Sequence, residues 1–267
     1  MSVIIFFIAQ WYLSLFCQTF FQHRYAAHGA FTMSKGWEKF FFVLTFLFQG
    51  SSYLSTRAYA IMHRMHHAYA DTDKDPHSPS YSKNIFDMMW KTFIFYRNIN
   101  ENRVPIDPKF MKNVPDWPAF DRFAGYRVTR LLWVALYIAF YVAFATSPWL
   151  WLLLPVQILM SPVHGAVVNW FAHKIGYENF WMKNTAENLM VVDVLMLGES
   201  YHNNHHKRPS AVNFGYRWHE IDPVYPIILL LNKMNVIKIR PQKNYAATTI
   251  ETTEKVNDKE LIMEEEW

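Results

Sequence analysis

An all-α fold is what this sequence predicts: polytopic membrane helices beneath a helical cap on the cytoplasmic side of the bilayer. Three observations predict it. Long uncharged apolar stretches alternate with polar, Pro-rich ones. Aromatic residues make up 18% of the 267 residues, with 22 Phe, 15 Tyr and 11 Trp, which points to lipid contact or a large apolar cavity. Nine of the twelve histidines fall in short boxes at or beyond the ends of the apolar stretches.

The first element is "MSVIIFFIAQWYLSLFCQTFFQ", with no charged residue before Arg24. As a helix its 22 residues reach roughly 33 Å, enough to cross the hydrocarbon core. It has neither the basic start nor the small-residue cleavage site of a signal peptide. Over 38–56 only "FFFVLTFLF" is solidly apolar. Nine residues cover roughly half a bilayer, so this is read as an interfacial helix. Residues 68–127 are polar and Pro-rich and belong outside the membrane. From Leu131 to His173 no Asp, Glu, Lys or Arg occurs. "TSPW" divides this stretch, because Pro148 ends one helix and can start the next, giving spans over about 128–146 and 149–170. "YPIILLL" at 225–231 suits the interface. Residues 1–243 thus form one membrane domain, and 244–267 an acidic tail expected to be disordered.

Charge placement orients the domain. Arg24, Lys35 and Lys39 follow the first span and no Lys or Arg precedes it, so the N-terminus is expected outside and residue 24 in the cytoplasm. The formal net charge is +4. The tail holds two lysines against seven acidic residues, a net −5, which leaves +9 on 1–243. A basic body suits lipid headgroups or a phosphate-bearing substrate, and basic residues are also ordinary on the cytoplasmic side of membrane proteins. No nucleic-acid partner is expected. The single cysteine, Cys17, excludes an internal disulfide and a cysteine-based metal site, and is read as packing.

The histidines carry the chemistry. "HRMHH" at 63–67 and "HNNHH" at 202–206 repeat one pattern about 140 residues apart. For one such pattern chance gives roughly 0.02, and for two a few in ten thousand. On a helix, positions i, i+3 and i+4 share a face, so His63, His66 and His67 converge, as do His202, His205 and His206. Three imidazoles on one face suit a transition metal. "HRYAAH" adds His23 and His28, which at i, i+5 stand about 140° apart on an ideal helix and need not serve one metal. "NWFAH" adds Asn169 and His173 at the end of the last span. All these boxes fall on the cytoplasmic side if the stretch after His28 returns without crossing, as its short apolar run allows. Imidazoles without thiolates suit iron, zinc, copper or nickel. Nine exceed the need of one four-coordinate zinc, so a dinuclear redox site is the natural reading. Asp71, Asp73, Asp75 and Glu199 stand close enough in sequence to orient imidazole N–H groups, although the aspartates could equally form a solvated acidic loop. His77, His164 and His219 read as ordinary surface or hydrogen-bonded histidines. His164, inside a span, must be paired or face a cavity.

"HRYAAH", "HRMHHAYADTDKDPH", "NWFAH" and "GESYHNNHH" resemble, in order and spacing, the boxes of integral-membrane fatty acyl desaturases of the stearoyl-CoA type. The resemblance runs from about His23 to about Pro241, is specific in the boxes and weak in the spans. It implies a non-haem diiron enzyme of delta-9 type that desaturates a long acyl chain, as acyl-CoA or acyl-lipid, with O2 as co-substrate. It implies two iron ions held by His23, His28, His63, His66, His67, His173, His202, His205 and His206, with Asn169 reaching the metals through a water. It also implies a kinked apolar tunnel, and a bacterial inner membrane or endoplasmic reticulum location. The chain has no haem-attachment or iron–sulfur cysteine motif, so electrons must come from a separate protein. That donor would be a cytochrome-b-type haem protein, a ferredoxin, or a rubredoxin with its reductase.

Two features depart from the family pattern. One span rather than two precedes the first box, and Ser200 stands where the family commonly has the second glycine of "GEG". Two other functions fit the same histidines. A membrane hydroxylase on the diiron scaffold would add oxygen rather than remove hydrogen. A non-enzymatic metal carrier would place its ligands at the bilayer midplane, where these boxes are not.

Overall fold

The helix α1, Ser2–Ala27, opens the chain in a computed structural model that describes residues 1–241; the expected acidic tail lies outside the described residues. Helix α1 is α-helical over Ser2–Phe16 and continues as a π-helix over Cys17–Ala27. After strand β1, Phe31–Met33, helix α2 covers Lys35–Gln49, its first turn capped by Ser34, whose Oγ accepts from Trp37 N at 3.4 Å. Helix α3 is Thr56–Tyr69 and α4 is Ile85–Asn100, both also started by side-chain caps, Ser55 and Asn84. Helix α5, Pro118–Gly125, leads into α6, Arg127–Phe144. Two helices, α7 over Pro148–Ile158 and α8 over Met160–Phe171, follow. The short α9, His202–Lys207, precedes α10, Val224–Lys233, and strand β2, Ile237–Ile239.

Among the described residues, α1 and α6 are long and apolar enough to cross a membrane. Over the expected span 149–170 the structure has a broken pair, α7 and α8, bent by 77°. Pro162 supplies the reason. It has no N–H to return to the Ile158 carbonyl, which instead accepts the Ser51 hydroxyl at 2.8 Å. The interfacial helix expected over 38–56 is α2, only 15 residues long and followed by a 3₁₀ turn, Gly50–Ser52.

The all-α expectation needs one amendment. Strands β1 and β2 pair antiparallel, Phe31 opposite Ile239 and Met33 opposite Ile237. Three residues each are too few to show a period of two, and the partners lie some 200 positions apart. The strand pair closes a core in which Phe20 and Phe21 of α1 meet Phe41 and Phe42 of α2 and Val224 and Ile228 of α10. The rest of α10 turns Ile227, Leu229 and Leu230 outward, as an interfacial helix would.

Polar side chains tie three of these helices together. Gln157 donates to Gln10 at 2.7 Å, Gln10 to Tyr137 at 2.6 Å, and Tyr141 to Gln157 at 2.6 Å, linking α7, α1 and α6. In a bilayer such groups have only one another as partners. The turn after α2 depends on Gly50, which has φ +54°, and a Cβ there would overlap the Tyr137 hydroxyl. Gly50→Ala is expected to lower stability by about 1–3 kcal/mol, seen as a fall in Tm of the detergent-solubilised protein.

Candidate metal centre

Where the first box begins, α1 has changed its winding. In the π-helical stretch each hydrogen bond spans five residues, and the His28 amide reaches the His23 carbonyl at 3.1 Å. Residues i and i+5 therefore stack, and His23 and His28 join one group. An ideal α-helix left open whether they share a metal; the change of pitch places both among the possible ligands of one ion.

The nine box histidines form two groups whose ring nitrogens could each hold a metal ion. One comprises His23, His28, His63, His67 and His205, and the other His66, His173, His202 and His206. The two H-x-x-H-H boxes interlock. From α3 the i, i+4 pair His63 and His67 enters the first group while His66 enters the second. From α9 the pair His202 and His206 enters the second group while His205 crosses to the first. In the first group Nε2 atoms approach at 2.9 Å between His23 and His205, 2.8 Å between His28 and His63, 3.0 Å between His63 and His67, and 2.8 Å between His67 and His205. In the second they approach at 3.1 Å between His66 and His206, 3.0 Å between His173 and His202, and 3.0 Å between His202 and His206.

These contacts cannot all be hydrogen bonds. A neutral ring nitrogen either donates one proton or offers one lone pair, yet His67 Nε2 touches two such atoms and so does His205 Nε2. A central cation removes the conflict. With metal–nitrogen bonds of about 2.1 Å, neighbouring ligands stand about 3.4 Å apart around a tetrahedral ion and about 3.0 Å around a five- or six-coordinate one. The observed spacings fit the higher coordination, so the donor sets suit a dimetal site. Burial, then the mutual repulsion of protonated rings, lowers the pKa of His28, His63, His66, His67, His202, His205 and His206 well below the usual value. The rings stay neutral with lone pairs free for a metal.

Carboxylates hold the outer edges of three rings. Glu199 faces His23 Nδ1 at 2.8 Å, Asp75 places both oxygens 3.0 Å from His66 Nδ1, and Asp71 lies 3.4 Å from His173 Nδ1. Asp71 also accepts the Thr185 amide at 2.7 Å. Burial alone would raise Asp71, but the His173 hydrogen bond and charge, with the Thr185 donors, bring it below the carboxylate range. Asp75 is raised, because burial outweighs its His77 neighbour. Of the three aspartates only Asp73 is exposed, and no bond to a ring involves it. Sequence reasoning missed Arg24. Fully buried, it pairs with Asp222 at 2.6 Å, lies 3.6 Å from Glu199 and stacks 3.7 Å over Phe214. Its partners lie 175 and 198 positions away, beyond the reach of any local pattern.

A cavity of about 610 Å³ lies against the groups, with His23, His63, His202 and Glu199 in its wall and Arg97 and Arg127 among its lining. Asn169, in the π-helical end of α8, lines it too. So do His77 and His164, both buried, with no hydrogen-bond partner at either ring nitrogen. His77 stands 4.2 Å from the His66 ring, and with Asp75 forms a third small cluster on the Nδ1 side of His66, away from the second group. His164 meets Trp11 edge-on at 4.5 Å. His219 belongs to neither group and packs on Trp218.

The profile of one family, fatty acid desaturase, matches residues 1–241. The chain belongs to that family. Among curated relatives, an sn-1 stearoyl-lipid 9-desaturase of Synechocystis is 26% identical over 81% of this chain and 64% of its own length. A probable acyl-CoA desaturase of Schizosaccharomyces pombe is 30% identical over 75% of this chain and 41% of its own. A hex-5-enoyl-[acyl-carrier protein] acetylenase of Moorena producens is 25% identical, over 86% and 74%. The chain thus spans less than two thirds of the length of the first two. These relatives use three different acyl carriers by name, so desaturase membership does not select the carrier. The expected desaturase family is the one found, and so is a mostly helical chain with histidine clusters fit for metal.

Proposed function

We propose that this chain is a diiron acyl desaturase that introduces a C=C bond into a long-chain acyl-CoA, of delta-9 type. The observation that carries the proposal is the interlock of the two H-x-x-H-H boxes, which divides their six histidines between two groups that His23, His28 and His173 complete, beside an apolar cavity. The ligands are His23, His28, His63, His67 and His205 for one iron and His66, His173, His202 and His206 for the other, with Asn169 acting through a water. Iron held by these residues would supply the O2 chemistry, in which one O2, two hydrogens of a CH2–CH2 pair, two electrons from a carrier and two protons become two waters and a C=C bond.

The protein's own part is placement. Leu15, Val168 and Met196 line the cavity beside His202 and Glu199, so a methylene chain lying along them passes the groups sideways. Glu199, Asp75 and Asp71 accept the Nδ1 protons of His23, His66 and His173, which keeps each Nε2 lone pair turned inward. Arg97 and Arg127 line the same cavity and suit the phosphates of CoA. The centre, at the Ala27 end of α1, faces the cytoplasm.

The deciding test supplies stearoyl-CoA, O2 and a reductant to iron-loaded protein in nanodiscs. The expected product is lighter by two hydrogens, with about two irons per chain. A product heavier by one oxygen would make the chain a hydroxylase. Conversion of stearoyl phospholipid but not stearoyl-CoA would overturn the assignment of the carrier.

A further inference from the structure

A second concavity, of about 350 Å³, opens behind the first histidine group and has His28 in its wall. Among the described residues five cations line it, Lys35, Arg64, Lys109, Lys112 and Arg240, against one carboxylate, Glu38. Glu38 is already engaged by Lys35 at 2.8 Å and by the Tyr25 hydroxyl at 2.5 Å. Arg64 directs its donors to the carbonyls of Ala26, Ala27, Phe110 and Lys112, so its charge faces the pocket without an acid among these partners. Lys109 pairs with Asp107 at 3.1 Å, both about half exposed. The pocket is strongly positive.

We infer that this basic pocket is the docking site of an acidic electron-carrier protein, and His28 the ring nearest its redox group. The inference rests on the diiron reading above. Each turnover then needs two electrons from outside, delivered one at a time by two reduced carriers that leave oxidised. Within these 267 residues no haem-attachment or iron–sulfur cysteine motif occurs, and Cys17 is buried. A carrier must therefore come close to a ligand ring. Only His28, His67 and His206 among the nine are partly exposed. Of the two cavities described, only the basic one is lined by any of these, and that one is His28. The two cavities share no lining residue, so substrate and carrier can occupy the enzyme together. Charge of one sign around a concave site steers an opposite partner, in a salt-dependent way.

The test uses iron-loaded protein in neutral-lipid nanodiscs with three reduced carriers: a plant-type [2Fe–2S] ferredoxin, a rubredoxin and the soluble domain of a b-type cytochrome. Stopped-flow spectroscopy follows oxidation of each carrier, and Kd is measured on metal-free protein. The best carrier is expected to lose about tenfold in second-order rate and in affinity in Lys109→Glu/Lys112→Glu at low ionic strength, with a flattened salt dependence. Iron content and reduction by dithionite should be unchanged. A rate and Kd within about twofold of wild type would overturn the proposal, as would failure of all three carriers to reduce a centre that dithionite reduces. If the variant instead altered only the response to anionic lipid in the disc, the pocket would be a headgroup site and the proposal would fall. Protein that takes up no iron, or that dithionite cannot drive to turnover, would sink the diiron reading instead.

Discussion

His205→Ala is expected to abolish turnover and to cut bound iron from about two per chain toward one. His205 is the sole contribution of the HNNHH box to the first group, and its Nε2 closes that group between His23 at 2.9 Å and His67 at 2.8 Å. Truncation leaves four rings and a gap where a fifth donor stood. Loss of an outer carboxylate typically costs about 10–100-fold, so loss of a ligand itself should exceed that. The interlock makes the prediction selective. His202 and His206 remain on the other group, so the second iron should persist, whereas His66→Ala should remove that one and spare the first. His219→Ala, outside both groups, should change neither iron nor rate. Iron per chain by mass spectrometry, with product formation on the same samples, checks all three. Near-wild-type turnover in either ligand variant would falsify the ligand set.

That selectivity was not legible in the sequence, although the nine histidines were. Spacing alone brought His63, His66 and His67 to one helix face, but it left open whether two such faces serve two metals or one shared cluster. The structure divides each box, because residues i and i+4 point one way and i+3 lies one neighbour further around the helix. The pairing of His23 with His28 was hidden for a different reason. A five-residue spacing is out of phase on an α-helix, and nothing local in "CQTFFQHRYAA" announces a π-helix. The spans α1 and α6 were legible from long uncharged runs. The break between α7 and α8 was not, because Pro162 lies inside a continuous apolar stretch and its effect is stabilised by Ser51, more than a hundred residues earlier. Arg24 with Asp222, and β1 with β2, are likewise long-range pairings that no window of sequence contains.

Among the acidic residues the structure also separates what the sequence left together, and this yields the second large effect. Asp75→Asn is expected to lower turnover by about 10–100-fold with the fold retained. Asp75 faces three donors through four contacts: His66 Nδ1 touches both oxygens at 3.0 Å, the Asp71 amide donates at 2.9 Å and the His77 amide at 3.0 Å. An asparagine side chain keeps one acceptor oxygen and turns two N–H groups toward those donors. Either the loop 71–77 loses its amide bonds or His66 loses its fixed orientation, and in both cases the His66 Nε2 lone pair is no longer held toward His206. Asp73→Asn is the control, since Asp73 is exposed and should stay within about twofold of wild type. The readouts are kcat on stearoyl-CoA and the affinity for the second iron, with a thermal melt to exclude unfolding. Equal rates for the Asp75 and Asp73 variants would show that the acidic loop is only a solvated turn, and that His66 is oriented by the metal groups alone.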